Sequence, residues 1–220
     1  DDSLRLRAIH KLAQIQAVSA VGAIAERLVD RNKKVRQAAL MALVGIGAPE
    51  AGAPILAQLP QIQDGTWARA VVSLLRTVEA PQLQQVANLI VKAPSTLFHP
   101  AVRKKGLESF KVMAAEIFQA DGRKQAVPSL LALMGNGSPR VRRAAHTALL
   151  YVTGQRIHRK RGKAPWNAFY KSNRNRTWLA WMRSGLRSWG VRVHSKRFTR
   201  DDVPKLIRAL RHGNRVVRRN

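Results

Sequence analysis

Two distant stretches of the chain share one pattern, and that repetition limits the possible folds more than any other feature. The string DRNKKVRQAALMALVGIG, from Asp30, is echoed by SPRVRRAAHTALLYVTG, from Ser138. In each, Val-Arg (Val35-Arg36, Val141-Arg142) precedes an Ala pair (Ala38-Ala39, Ala144-Ala145), a Leu (Leu43, Leu149), and a β-branched residue followed by Gly (Ile46-Gly47, Thr153-Gly154). Weaker copies stand at Leu4-Arg5, Ala68-Arg69 and Val102-Arg103, and the motif restarts at Val217-Arg218. The residues before these arginines are spaced by 31, 33, 34, 39 and 76 positions, the last interval spanning two repeats or one repeat with a large insertion. A period in this range belongs to arrays in which each unit buries its apolar face only against its neighbours.

A second apolar pattern lies between the markers: Val21, Ile24, Ala25 and Leu28; Ile55, Leu56 and Leu59; Val86, Leu89 and Ile90; Val127, Leu130, Leu131 and Leu133. Spacings of three and four place each set on one stripe of a helix. Turn-forming segments such as GAPEAG (47–52) and GNGSP (135–139) separate them, and no run of alternating β-branched residues competes. Each unit therefore reads as a helix pair in an all-α chain. With Asp30 to Leu43 as the best copy of a DxxxxVRxxAAxAL pattern, the chain resembles the HEAT-repeat family, in its bacterial form related to lyase-type HEAT-like repeats. That resemblance implies an α-solenoid of helix pairs over 1–153, about five units with the fifth incomplete, and a resumed, truncated repeat at 201–220. Between them, 154–200 reads as a basic, Trp-rich insertion. The N-terminus lacks an initiator Met and the last repeat stops partway, so the chain reads as a processed form or as a piece of something longer, and the sequence leaves the choice open.

Charge narrows the choice of partner. There are 40 Lys and Arg against 12 Asp and Glu, a net charge of +28, and residues 122–220 alone hold net +23. Self-repulsion of this size favours an anionic partner. In HEAT arrays, the resemblance implies, an Asp such as Asp30 or Asp64 pairs with the Arg that follows it. Later units lack the acid, which leaves Arg103, Arg142 and Arg218 without that partner and crowds bases around them: Lys104 and Lys105, Arg140 and Arg143, Arg215 and Arg219. If equivalent positions align, these clusters form a stripe suited to a phosphate backbone. A solvated face whose arginines lie over neighbouring helices is the plainer alternative.

The insertion opens with QRIHRKRGK, whose Arg159, Lys160, Arg161 and Lys163 join the candidate anion-binding residues. No apolar face is visible in it, so a mobile loop is expected. Trp166, Trp178, Trp181 and Trp189 follow, with Phe169 and Tyr170. On a helix from about 176 to 189, Trp178, Trp181, Met182, Leu186 and Trp189 share one side, with Arg176, Arg183 and Arg187 opposite. The tryptophans of that helix are expected in the core, and Arg183 and Arg187 in solvent. Trp166 and Tyr170 fit no pattern and are kept as candidates for stacking on a base.

Little in the sequence suggests catalysis. Asp201 and Asp202 are the only acids beyond residue 121 and read as a helix start, while the six histidines lack metal-ligand spacing. His146, inside a repeat helix, reads as a packed residue. No Gly-rich phosphate loop or nucleophile elbow occurs, and with no cysteine there is neither a disulfide nor a thiolate ligand. The expectation is a binding module without cofactor or metal, taking the backbone of DNA or RNA without strong sequence readout. Two alternatives stay open: a scaffold for an acidic protein surface within a larger assembly, and an enzyme resembling the alkylpurine DNA glycosylases. Neither a signal peptide nor an apolar run of membrane-spanning length is present, so a cytoplasmic location is expected.

Overall fold

The computed structural model describes residues 1–191 of the chain. Among those residues there are twelve α-helices and no strand. The chain divides into two compact units, Asp1–Phe110 and Lys111–Asn220. Their boundary falls inside α8 (Pro100–Asp121) rather than at the expected limit after residue 153. The repeat expected at 201–220, with Asp201, Asp202, Arg215, Arg218 and Arg219, lies outside the described residues.

In the first unit the helices α1 (Asp2–Gln14), α3 (Lys33–Ile46) and α5 (Gly65–Thr77) form one layer, α1 on α3 and α3 on α5. The helix α2 (Val21–Glu26) packs on α4 (Gly52–Gln58) in the other. After them come α6 (Leu83–Lys92) and the short α7 (Pro94–Leu97). The marker explains the layering: Val35, Ala68, Val102 and Val141 are all fully buried, because in each first helix that position turns toward the core. The first copy is the exception. Leu4 is 61% exposed, and Ile9 is the buried residue of α1, so there the Leu-Arg pair is out of register with the inward stripe.

Helix starts follow the sequence closely. Asn32, Asp64, Ser138 and Thr177 each accept a hydrogen bond from a backbone N–H of the turn they open, at 2.8 to 3.4 Å. Gly47 and Gly154 end α3 and α10 (Pro139–Thr153) in the left-handed region, with φ of 63° and 69°.

In the second unit α9 (Val127–Met134) packs against α10. The expected insertion contains α11 (Ala164–Asn173) on α9 and α12 (Trp178–Ser188) on α10. It is thus part of this unit's core and not an appendage. Gly185 of α12 is what permits the approach, since a Cβ there would lie 3.0 Å from the backbone of Gly154. Trp189 completes the join by donating from its indole N–H to Gly154 O at 2.8 Å.

Candidate functional site

The candidate surface belongs to the second unit, where residues 122–191 carry fifteen Lys and Arg and no Asp or Glu. Comparing two helix entries shows that the turn forms equally with an acid or with a neutral amide. Before α3, Asp30 Oδ1 accepts from the Asn32 N–H at 2.9 Å; before α10, Asn136 Oδ1 accepts from the Ser138 N–H at 3.0 Å. Asn136 therefore performs the turn-forming task of Asp30 without its charge. In the first unit the Asp30 carboxylate also meets Arg5 of the preceding repeat at 3.0 Å, so an acid there neutralises an arginine.

The pairing expected between that Asp and the following Arg takes a different form. Arg36 donates to the Asp30 and Arg31 carbonyls, Arg103 to the Phe98 carbonyl, and Arg142 to the Asn136 and Gly137 carbonyls at 2.8 and 2.6 Å. The marker arginine reaches back five or six residues to carbonyls exposed at the preceding turn, using hydrogen bonds strengthened by its charge. Arg103 and Arg142, expected to lack the acidic partner, have backbone carbonyls as partners instead. Asp64 caps α5 through the Thr66 N–H.

Arg142, Arg143 and Arg159 converge on one cleft of about 310 Å³, with Met134, Pro139 and Gly162 completing its lining. Arg140, Lys160 and Arg161, on the same two segments, are exposed, and Lys163 is half-buried. No carboxylate occurs in this stretch of chain to screen them. Arg187 is exposed on α12, whereas Arg183 is half-buried, contrary to the helical projection. Arg103, Lys104 and Lys105 belong to the first unit, where both lysines are exposed.

The loop carrying Arg159, Lys160 and Arg161 was expected to be mobile, but its first half is anchored. Gln155 is buried, Arg156 N–H donates to Ser188 Oγ at 2.9 Å, and the Arg156 guanidinium sits 5.4 Å from the centre of the Trp189 ring. His146 Nε2 lies 2.9 Å from Ile157 O and so carries the proton it donates there. Arg159–Arg161 then form a single 3-10 turn that holds three cations outward. The sequence concealed this because Gln155 and Ile157 are isolated among bases and are held by contacts from helices outside the loop.

His146 is packed, as expected, with Trp166 edge-on at 5.7 Å. Burial holds its pKa below the ordinary histidine value of 6.5, and the neighbouring Arg159 and His158 add to this, while the bond to Ile157 O opposes it. Since the unfolded chain takes up the proton more readily, His146 contributes stability that is present above pH 6.5 and lost as the pH falls below it. Melting temperature should therefore drop between pH 7 and pH 5, and His146→Gln should flatten that drop.

The tryptophans are distributed differently from the expectation. Trp166, a candidate for stacking, is only 1% exposed and is core. Tyr170 is half-buried with its ring edge-on to Trp181 at 6.5 Å, so it too packs within the unit. Trp181 is buried as expected and Trp189 is half-buried. Trp178, expected in the core, is 51% exposed: it occupies the first turn of α12, before the buried stretch of Trp181, Gly185 and Leu186.

Among the described residues no three His, Asp or Glu stand close enough together to hold a metal ion, and no helix is long and apolar enough to cross a membrane. The family model described as HEAT repeats matches residues 1–76. No curated protein matches the sequence. The matched region is the stretch in which α1, α3 and α5 form one layer and α2 and α4 the other, with the marker residues Val35 and Ala68 buried between them, so this part of the chain is similar to HEAT repeats in both sequence and helix-pair layering.

Proposed function

We propose that the protein is a HEAT-repeat binding module without catalytic activity whose second unit holds the sugar-phosphate backbone of nucleic acid. The observation that carries this is the acid-free basic stretch of 122–191 together with the convergence of Arg142, Arg143 and Arg159 on one cleft. Exposed Arg140, Lys160 and Arg161 flank that cleft in sequence and extend the contact beyond a single phosphate. Binding of this kind is driven by release of counterions and reads charge spacing in preference to base edges. A family of interaction scaffolds supplies the rigid support, since α10 fixes one side of the cleft and the His146-anchored loop the other.

The direct test is fluorescence anisotropy with a labelled duplex of about 20 base pairs at several salt concentrations. Five phosphate contacts, from Arg140, Arg143, Arg159, Lys160 and Arg161, give a log-log slope of about −4.5, with affinity little changed between unrelated sequences. A second variant separates charge from folding. Asn136→Asp introduces the carboxylate that Asp30 carries at the equivalent place and keeps the same turn, so it should weaken binding several-fold while leaving the melting curve in place. Binding that vanishes near physiological salt would remove nucleic acid as the partner and favour an acidic protein surface, and binding that Asn136→Asp leaves untouched would remove this cleft as the site.

A further inference from the structure

Trp178 is the one large aromatic among the described residues that stands more than half in water, and its surroundings give it a use. Arg174, Asn175, Arg176 and Thr177, which lead into it, are all exposed. An indole so placed leaves apolar area unburied that the neighbouring core could have taken, as it took Trp166 and Trp181.

The turn that presents Trp178 is held from several sides. Trp181 donates from its indole N–H to Asn173 O at 2.7 Å, and the Arg176 N–H donates to the same carbonyl at 2.8 Å. Lys124 Nζ donates to Arg176 O at 3.0 Å, which ties the turn to the segment before α9. Thr177 Oγ1 accepts from the Ala180 N–H and starts α12 with Trp178 at its first position. The backbone that carries two arginines and one indole is therefore fixed before any ligand arrives, which reduces the ordering cost of binding.

We infer that the 173–178 turn is a base-stacking site for single-stranded nucleic acid, with Trp178 receiving the face of an unpaired base and Arg174 and Arg176 the adjoining phosphates. This rests on the proposed nucleic-acid reading and deepens it by naming the form of strand. In a duplex each base face is covered by its neighbours, so an exposed ring finds a partner only where bases are unpaired. An acidic protein would satisfy the arginines but would offer the indole face nothing that its carboxylates prefer. With no Asp or Glu anywhere in 122–191, a polyanionic strand meets no repulsion from this part of the chain.

The experiment compares an oligo(dT) of about 20 nucleotides with a duplex of equal length, for wild type, Trp178→Ala and Trp178→Phe, at one salt concentration. Trp178→Ala should weaken oligo(dT) binding about tenfold and duplex binding less than twofold, and Trp178→Phe should retain most of the single-strand affinity. Quenching of tryptophan fluorescence by oligo(dT) should shrink in Trp178→Ala. Equal losses for both ligands, or no loss for oligo(dT), would overturn the stacking assignment while leaving backbone binding intact. Failure of the wild type to bind either ligand would remove both the assignment and the reading beneath it.

Discussion

Replacing Arg159, Lys160 and Arg161 together by Gln is expected to lower affinity for duplex DNA of any sequence by roughly one to two orders of magnitude at low salt. It should also make the log-log salt slope shallower by about 2.7, since each lost phosphate contact removes about 0.9. The three side chains are exposed on a 3-10 turn whose hydrogen bonds are backbone and His158-mediated, so none of them holds the loop in place. The melting curve should remain where it was, which separates lost charge from lost structure. A variant that binds as the wild type does would take the loop out of the interface, and a loss restricted to one sequence would point to base readout.

Trp166→Ala carries the largest expected loss of stability. The side chain is almost fully enclosed on α11, so truncation removes its transfer energy and leaves a cavity between α11 and its neighbours, together about 3–5 kcal/mol. In a chain of this size that lowers the melting temperature by roughly 10 °C. Trp166 is also the ring against which His146 rests edge-on, and His146 in turn holds Ile157 O. The basic loop should lose its anchor along with the cavity, so anion binding should fall even at temperatures where the protein stays folded. The indole N–H makes no hydrogen bond, so Trp166→Phe loses volume alone and should cost much less than the alanine variant. A stability loss under about 1 kcal/mol for Trp166→Ala would contradict the placement of this residue in the core.

The repeats were legible because their signal is local. Burial of the residue before each marker arginine depends on helix periodicity, and Val35, Ala68, Val102 and Val141 all turn inward as the spacing requires. Helix starts rest on interactions just as local, because a capping side chain acts on N–H groups two or three residues away, as Ser138 does for Arg140 and Val141. Leu4 marks the limit of the method, since a motif copied in letters alone failed to place its residue on the buried stripe.

What the chain's own letters determined, then, was an all-α array of helix pairs with its positive charge concentrated beyond residue 121. Only the tertiary structure decided which cations are available and which aromatics are not. Arg142 is drawn to the carbonyls of its preceding turn, the basic loop is anchored by His146 from a helix outside it, Trp166, which fitted no pattern, is buried, and Trp178, which periodicity placed in the core, is exposed. Periodicity states which residues share a side of one helix, but the length of helix that a neighbour covers depends on contacts between segments far apart in the chain. Gly185 against Gly154 is the contact that seats α12 on α10, and it leaves the first turn of α12, with Trp178, in water.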